Sequence, residues 1–452
     1  MLKWFVSLFV GCTVHHATFA ADTLKAGVGR ADITPEVEVL NWVTGKPYGQ
    51  ILDRLFVQAI VLDDGKTKVA LVRWDMVDVS ESARDEVRQA VSAALKMPAE
   101  NIMVHASHTH SAPWAPVYSA GHRGQERDTW WALMRNPVQN EFPPFQRWMA
   151  RIIAASVEAA TKANDSAQSV SVAIGRISAA EFLYNRRPRM PRWGMAEAKA
   201  AALSQGSSEW RADVAPAGAA FGPMDRTFTL ISFRTADDKS IASLYHLACH
   251  AVSIYSANSS ISADWPGMAS RTISSVLGGE SLFLQGCSGD ITPWRRGEAA
   301  VATMAGGLAD KAKIVSKQSA KLVTSPLQVG RTEVELPLTA AGKKRTGAET
   351  VRAEVQVITC GPLALVALPG EPLTELNTFI RERSPFPQTL VLGYSNGNGV
   401  HYVGMPHEKA RGGYEMGTAG AGTEEAGPML IEAAVKVLNE LVERAAPPNA
   451  RR

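Results

Sequence analysis

The sequence predicts a mixed α/β protein, one large domain in which mixed sheets pack against helices. Three observations carry this. Runs rich in branched apolar residues recur at strand length, helical periodicity appears between some of them, and neither an internal repeat nor a linker divides the 452 residues.

The strand-like runs cover residues 57–62, 68–74, 101–104 and 170–177, then 228–233, 240–247, 281–284, 354–358, 363–368 and 389–392. After the second run, Ala83, Val87, Ala90, Val91, Ala94 and Leu95 share one helical face, with Ser80 as N-cap and Pro98 as breaker. Trp148, Ile152, Ala155 and Ala159 mark a second helix. Leu430, Ile431, Ala434, Val435, Leu438 and Leu441 mark a third near the end, and residues 446–452 read as a frayed tail. Residues 118–144 and 186–223 exceed the usual connection length, which makes them expected rims or lids over a site.

The 47 basic and 44 acidic residues leave a net charge of +3, spread without blocks. That balance gives no reason to expect a nucleic-acid partner. Lys3, the apolar residues 4–14 and the small Ala20 follow the order of a secretory signal peptide, so residues 1–20 are expected to be removed. A membrane span needs roughly 20 apolar residues, and His15-His16 interrupt this run too early. A lipoprotein reading through Gly11-Cys12 fits less well, because Phe9 stands where leucine is usual. A secreted or periplasmic protein without stable membrane insertion is expected, with residues 21–445 as its domain; the oligomeric state is not readable. Cys249, Cys287 and Cys360 then allow at most one disulfide.

The chemistry gathers at strand ends. His105-Ala-Ser-His108-Thr-His110-Ser111 directly follows the run 101–104. Histidines two apart on extended chain point the same way, so one ion can contact both, or one can bind while the other handles protons. A polar turn is the competing reading. His246-Leu-Ala-Cys-His250 follows another run, and Pro369-Gly370-Glu371-Pro372 follows a third. Two histidines and a glutamate with an open position form a known catalytic zinc set; capping of the next helix is the alternative for Glu371. Asp264 before Trp265-Pro266 reads as an N-cap. Asp75 and Asp290 either accept from the histidines or form turns, and His401 and His407 read as peripheral.

The order of five motifs resembles the catalytic domain of the neutral/alkaline non-lysosomal ceramidases. These are Gly27-Val-Gly-Arg-Ala-Asp-Ile-Thr-Pro35, His108-Thr-His-Ser111, His250, Gly289-Asp-Ile-Thr-Pro293 and Pro369-Gly-Glu371. The resemblance runs from about residue 26 to residue 427. It implies zinc held by His108, His250, Glu371 and Tyr402, with His110 as acid/base group, Arg186 (or the adjacent Arg187) and Tyr414 stabilising an oxyanion, and a substrate-contacting hydroxyl on Thr292. The substrate class it implies is a lipid or small-molecule N-acyl compound, hydrolysed at its amide by water activated on zinc. An esterase, lactonase or phosphoesterase on the same scaffold is the alternative, as is a binding protein without turnover. The chain departs from the family at Trp114 and Trp294, where small or polar residues are usual; these indoles either narrow the pocket or pack beneath the loops. The immunoglobulin-like C-terminal domain typical of full ceramidases is not expected, because the chain ends soon after its last helix.

Overall fold

The computed structural model of the chain describes residues 24–118, 142–187, 222–255 and 258–445. The signal-peptide and tail expectations, and most of both long loops, lie outside these residues.

The first sheet contains β1 (Lys25–Asp32), β2 (Phe56–Asp63), β3 (Lys68–Trp74), β4 (Ile102–Ala106) and β5 (Gln168–Ser169), in the order β4-β3-β2-β1-β5. Helices α1 (Glu81–Leu95) and α2 (Pro143–Asp165) cover its outer face. The second sheet contains β6 (Ser171–Ser178), β8 (Thr227–Arg234), β9 (Ser240–Leu247), β10 (Glu280–Gln285) and β12 (Ala320–Leu322). Its order is β10-β9-β8-β6-β12, and β7 (Leu183–Asn185) pairs with β11 (Ile291–Pro293) beside it. Helices α3 (Asp264–Leu277) and α4 (Glu298–Gln318) cover its outer face. The third sheet runs β13-β14-β15-β17, from β13 (Leu327–Pro337), β14 (Thr350–Cys360), β15 (Leu363–Ala367) and β17 (Gln388–Leu392). Short α5 (Ala340–Thr346) precedes β14, and α6 (Thr374–Arg383) and α8 (Ala426–Ala445) cover this sheet. Between them lie β16 (Glu371–Pro372), which pairs in parallel with β18 (Tyr402–Val403), and α7 (Pro406–Ala410).

Alternation of side chains along each strand divides its apolar residues between two cores. In β2, Val57, Ala59 and Val61 face α1 and α2, while Ile60 and Leu62 join a central cluster. That cluster also takes Ile231 and Leu244 from the second sheet and Leu365 and Leu390 from the third. The sheets therefore meet over one apolar centre, each with helices on its far side. This explains why the strands read as nearly continuous apolar runs.

Every strand-like run of the sequence overlaps a strand, and the cap is as expected: Ser80 Oγ accepts from Ala83 N at 3.2 Å. Among the longer elements, β1, β13 and α4 are additional, as are the short strands β5, β7, β11, β12, β16 and β18 and helices α5, α6 and α7, while α3 starts where the Asp264 reading placed a helix. The β1 segment hides behind its glycines, which the packing demands. A Cβ on Gly27 would stand 2.0 Å from Ala163 O, and one on Gly29 2.3 Å from Ala159 O, so α2 can lie on β1 only with hydrogen at both positions. Asp264 does not cap α3. Its carboxylate accepts from Ile254 N (2.8 Å) and Trp265 N (2.6 Å), tying the turn after His250 to the helix start. Among the described residues, Cys249, Cys287 and Cys360 are free and buried.

Candidate metal centre

The site forms where chain leaves strands of all three sheets. His108 and His110 follow β4, His250 follows β9, and Glu371 follows β15. Extended chain is not what aligns the histidines, because His108 sits at φ +64°, a strained conformation for a residue with a Cβ. Alignment comes from a parallel bridge between Thr109 and Ala251, with His110 N donating to Ala251 O at 3.0 Å. Glu371 and Tyr402 are brought together by the β16–β18 ladder, in which they are direct partners and Glu371 N donates to His401 O at 2.8 Å. Gly370 makes that approach feasible. Its φ is +68°, and a Cβ there would lie 2.3 Å from His401 O.

The side chains converge. His108 Nε2 and His250 Nε2 each lie 3.1 Å from the same Glu371 oxygen, Oε2. Tyr402 OH lies 3.5 Å from His250 Nε2. His108 Nδ1 stands 2.6 Å from Val77 O and His250 Nδ1 2.6 Å from Ser288 O. Carbonyls only accept, so both Nδ1 atoms carry a proton, and each ring turns its Nε2 toward the Glu371 carboxylate. Two imidazole nitrogens and a carboxylate oxygen aimed at one point are a donor set that a cation could share. Protonation is opposed for His250, whose pKa is lowered to about 3 by burial, with Arg186 and His108 adding. Burial alone would raise the Glu371 carboxyl, but His108 and His250 outweigh it and hold the group well below the usual carboxylate range. Tetrahedral donors about 2.0–2.1 Å from zinc stand about 3.3 Å apart, close to what these atoms show. The donor set and its carbonyl-anchored imidazoles fit a zinc ion.

His110 differs from its neighbours. Its Nε2 lies 3.0 Å from His108 Nε2, and its buried Nδ1 has no hydrogen-bond partner among the described residues. Neither tautomer is fixed. Burial, then His108 and His250, push its pKa well below the ordinary value. The three histidines are also close enough together to share an ion.

The geometry separates the two arginines. Arg186 donates to Tyr402 OH (2.9 Å) and Gly289 O (2.8 Å), whereas Arg187 is buried against Glu408 and Glu415. Glu415 holds both, through Oε1 to Arg186 Nε at 2.9 Å and Oε2 to Arg187 at 2.8 Å. Burial, then Glu371, push the Tyr402 phenol well up, and Arg186 pulls it back. Tyr414 packs edge-on to Tyr402 at 5.7 Å and is 47% exposed, at the mouth of the site. Thr292 is buried on β11, its Oγ1 without a partner among the described residues.

Other expectations need correcting. His401 is not peripheral: its Nε2 is 3.6 Å from Glu371 Oε1. His407 is, being half-exposed and paired with Glu375. Asp75 pairs with Arg73 at 2.7 Å and accepts from Phe56 N, so it serves the sheet. Asp290 accepts from Asn185 and Thr374 N rather than from a histidine, and burial pushes its pKa up to about 7. Trp114 is fully buried against Trp42, while Trp294 packs on Tyr184, so only the former borders the histidines. Sequence reasoning missed Tyr394, whose ring stacks on His108 at 4.0 Å and whose OH lies 3.4 Å from Glu371 Oε2. Its place just past the run 389–392 was a usable signal. No comparable pattern marks Trp42 or Glu415.

The family model for the neutral/alkaline non-lysosomal ceramidase N-terminal domain matches residues 24–305. The chain belongs to this family. The match contains His108, His110, Arg186, His250 and Thr292; Glu371, Tyr402 and Tyr414 lie beyond it. Among curated relatives, the neutral ceramidase of Drosophila pseudoobscura pseudoobscura is 36% identical over 101 residues, 21% of this chain and 14% of that protein. The structure of neutral ceramidase from Pseudomonas aeruginosa superposes with a TM-score of 0.72 at 17% identity, covering 93% of this chain and 75% of that one. A structure described as ceramidase complexed with C2 gives the same TM-score at 16% identity, covering 93% and 76%. At such identities the likeness is one of fold, and it extends the family's architecture past the matched segment.

Proposed function

We infer that the chain is an exported zinc-dependent hydrolase that cleaves the amide of an N-acyl compound, of ceramide type or smaller. The observation that carries this is the convergence of two carbonyl-anchored imidazoles, through their Nε2 atoms, on one buried carboxylate oxygen at 3.1 Å. His108, His250, Glu371 and Tyr402 would hold the ion. When bound there, zinc supplies Lewis acidity toward a water and a substrate carbonyl.

The remaining steps belong to the chain's own groups. His110 takes the proton of the attacking water on Nε2 and delivers it to the leaving nitrogen, which cannot depart as a bare amide anion. Its unanchored Nδ1 lets the ring reorient between the two transfers. Arg186, clamped by Glu415, places positive charge beside the developing oxyanion through Tyr402, and Tyr414 closes the outer edge. The Thr292 hydroxyl contacts substrate from β11. We further read residues 1–20 as a signal peptide and 21–445 as one catalytic domain. Among the described residues, no helix is long and apolar enough to cross a membrane.

Hydrolysis of a matched N-acyl amide and O-acyl ester by the purified protein tests the assignment. Turnover of the amide is expected. Turnover of the ester alone would make the protein an esterase instead.

A further inference from the structure

Two aromatic side chains, Trp42 and Tyr255, meet on His110 from separate loops, and a third, Trp114, packs on Trp42. Trp42 lies edge-on to the His110 ring at 5.4 Å, and Tyr255 lies 5.2 Å from it. Trp42 and Tyr255 are parallel within 3° at 6.1 Å, and Trp114 meets Trp42 at 74° and 5.0 Å. The result is an L-shaped aromatic corner. Each loop is locally pinned. Asn41 Oδ1 accepts from Val43 N and Thr44 N, fixing the turn that carries Trp42. Asp264 holds Ile254 N beside Tyr255. Trp114 is 2% exposed and cannot swing away.

We propose that this corner is the leaving-group subsite, and that it selects N-acyl amides whose amine carries a flat aromatic group. The proposal rests on the hydrolase reading above. The group protonated by His110 must lie within hydrogen-bond reach of its ring, and the aromatic walls beside that ring are Trp42 and Tyr255, with Trp114 packed on Trp42. Rigid ring faces favour a planar substituent through offset or edge contacts. They also attract the ammonium that the amine becomes on departure.

The test compares kcat/KM for one acyl chain joined to phenethylamine, hexylamine or ethanolamine. The phenethyl amide is expected to exceed the hexyl amide by about fivefold to tenfold. Trp42→Ala should collapse that ratio toward one, Trp42→Phe should retain most of it, and Tyr255→Leu should lower it independently should the first variant fold poorly. Equal rates for the aryl and alkyl amides in the parent, or an unchanged ratio in both Trp42→Ala and Tyr255→Leu, would overturn the subsite. Absence of amide hydrolysis for all three compounds would instead remove the hydrolase reading beneath it.

Discussion

At the scale of single residues, chemically identical groups differ in what holds them, and the proposed function gives them different work accordingly. His108 and His250 have one ring nitrogen committed to a backbone carbonyl, leaving the other as a fixed lone pair. His110 has no such commitment. His110→Ala is therefore expected to lower kcat by about 10²- to 10⁴-fold while leaving the metal content at its parent value. Loss of metal in that variant would make His110 a ligand rather than a proton carrier. Residue types and their places after strand-like runs made His108, His110, His250 and Glu371 legible in the sequence, whereas Tyr402 was indicated only by the resemblance to the family. Tyr394 and His401 were passed over: both reach the site from positive-φ positions that no periodicity announces, and only the place of Tyr394 just past the run 389–392 offered a signal. The choice between Arg186 and Arg187 required the fold. One points at Tyr402, and its neighbour is absorbed by Glu408 and Glu415.

At the scale of elements, close approach of α2 to β1 is the tightest constraint in the first sheet. Gly29→Ala would drive a methyl group into the Ala159 carbonyl, with the Lys162 side chain also in the way. Overpacking of this kind costs about 1–3 kcal/mol, so its denaturation midpoint should fall clearly below that of the parent. An unchanged midpoint would show that the helix is free to shift. The same glycines explain why β1 escaped a reading based on branched apolar residues. Strand β13 escaped for a different reason: it alternates half-buried and solvent-facing residues through Arg331, Glu333 and Glu335, and its polar half masks its length. Strands buried on both faces were plain, because two cores demand apolar residues at every position.

For the whole molecule, the meeting of three sheets buries titratable groups that the unfolded chain would leave in water. Burial, with Arg73 and His246 adding, lowers the pKa of His105 to about 3, and burial foremost lowers His246. Below pH 6.5 the unfolded state takes up protons that the folded state refuses, so stability is lost as pH falls. Asp290 and Asp264 act oppositely. Burial raises them to about 7 and about 6, so folding favours their neutral forms below those values. His250, lowered to about 3, and His110, lowered well below its ordinary value, side with His105 and His246 in this window. The lowered carboxyls of Glu371, Glu354 and Glu415 add their loss only below the ordinary carboxyl value of 4.5. The melting temperature should therefore fall steadily from pH 6.5 to pH 5. A flat or rising profile would mean that the buried imidazoles are protonated in the fold.

The central claim, four distant side chains meeting at one cation, is tested most directly by elemental analysis of the purified protein alongside its amide-hydrolysis rate. One zinc per chain is predicted, with the rate abolished by chelation, restored by zinc, and both metal and rate lost in Glu371→Gln. Full activity in protein that carries no metal would contradict the account.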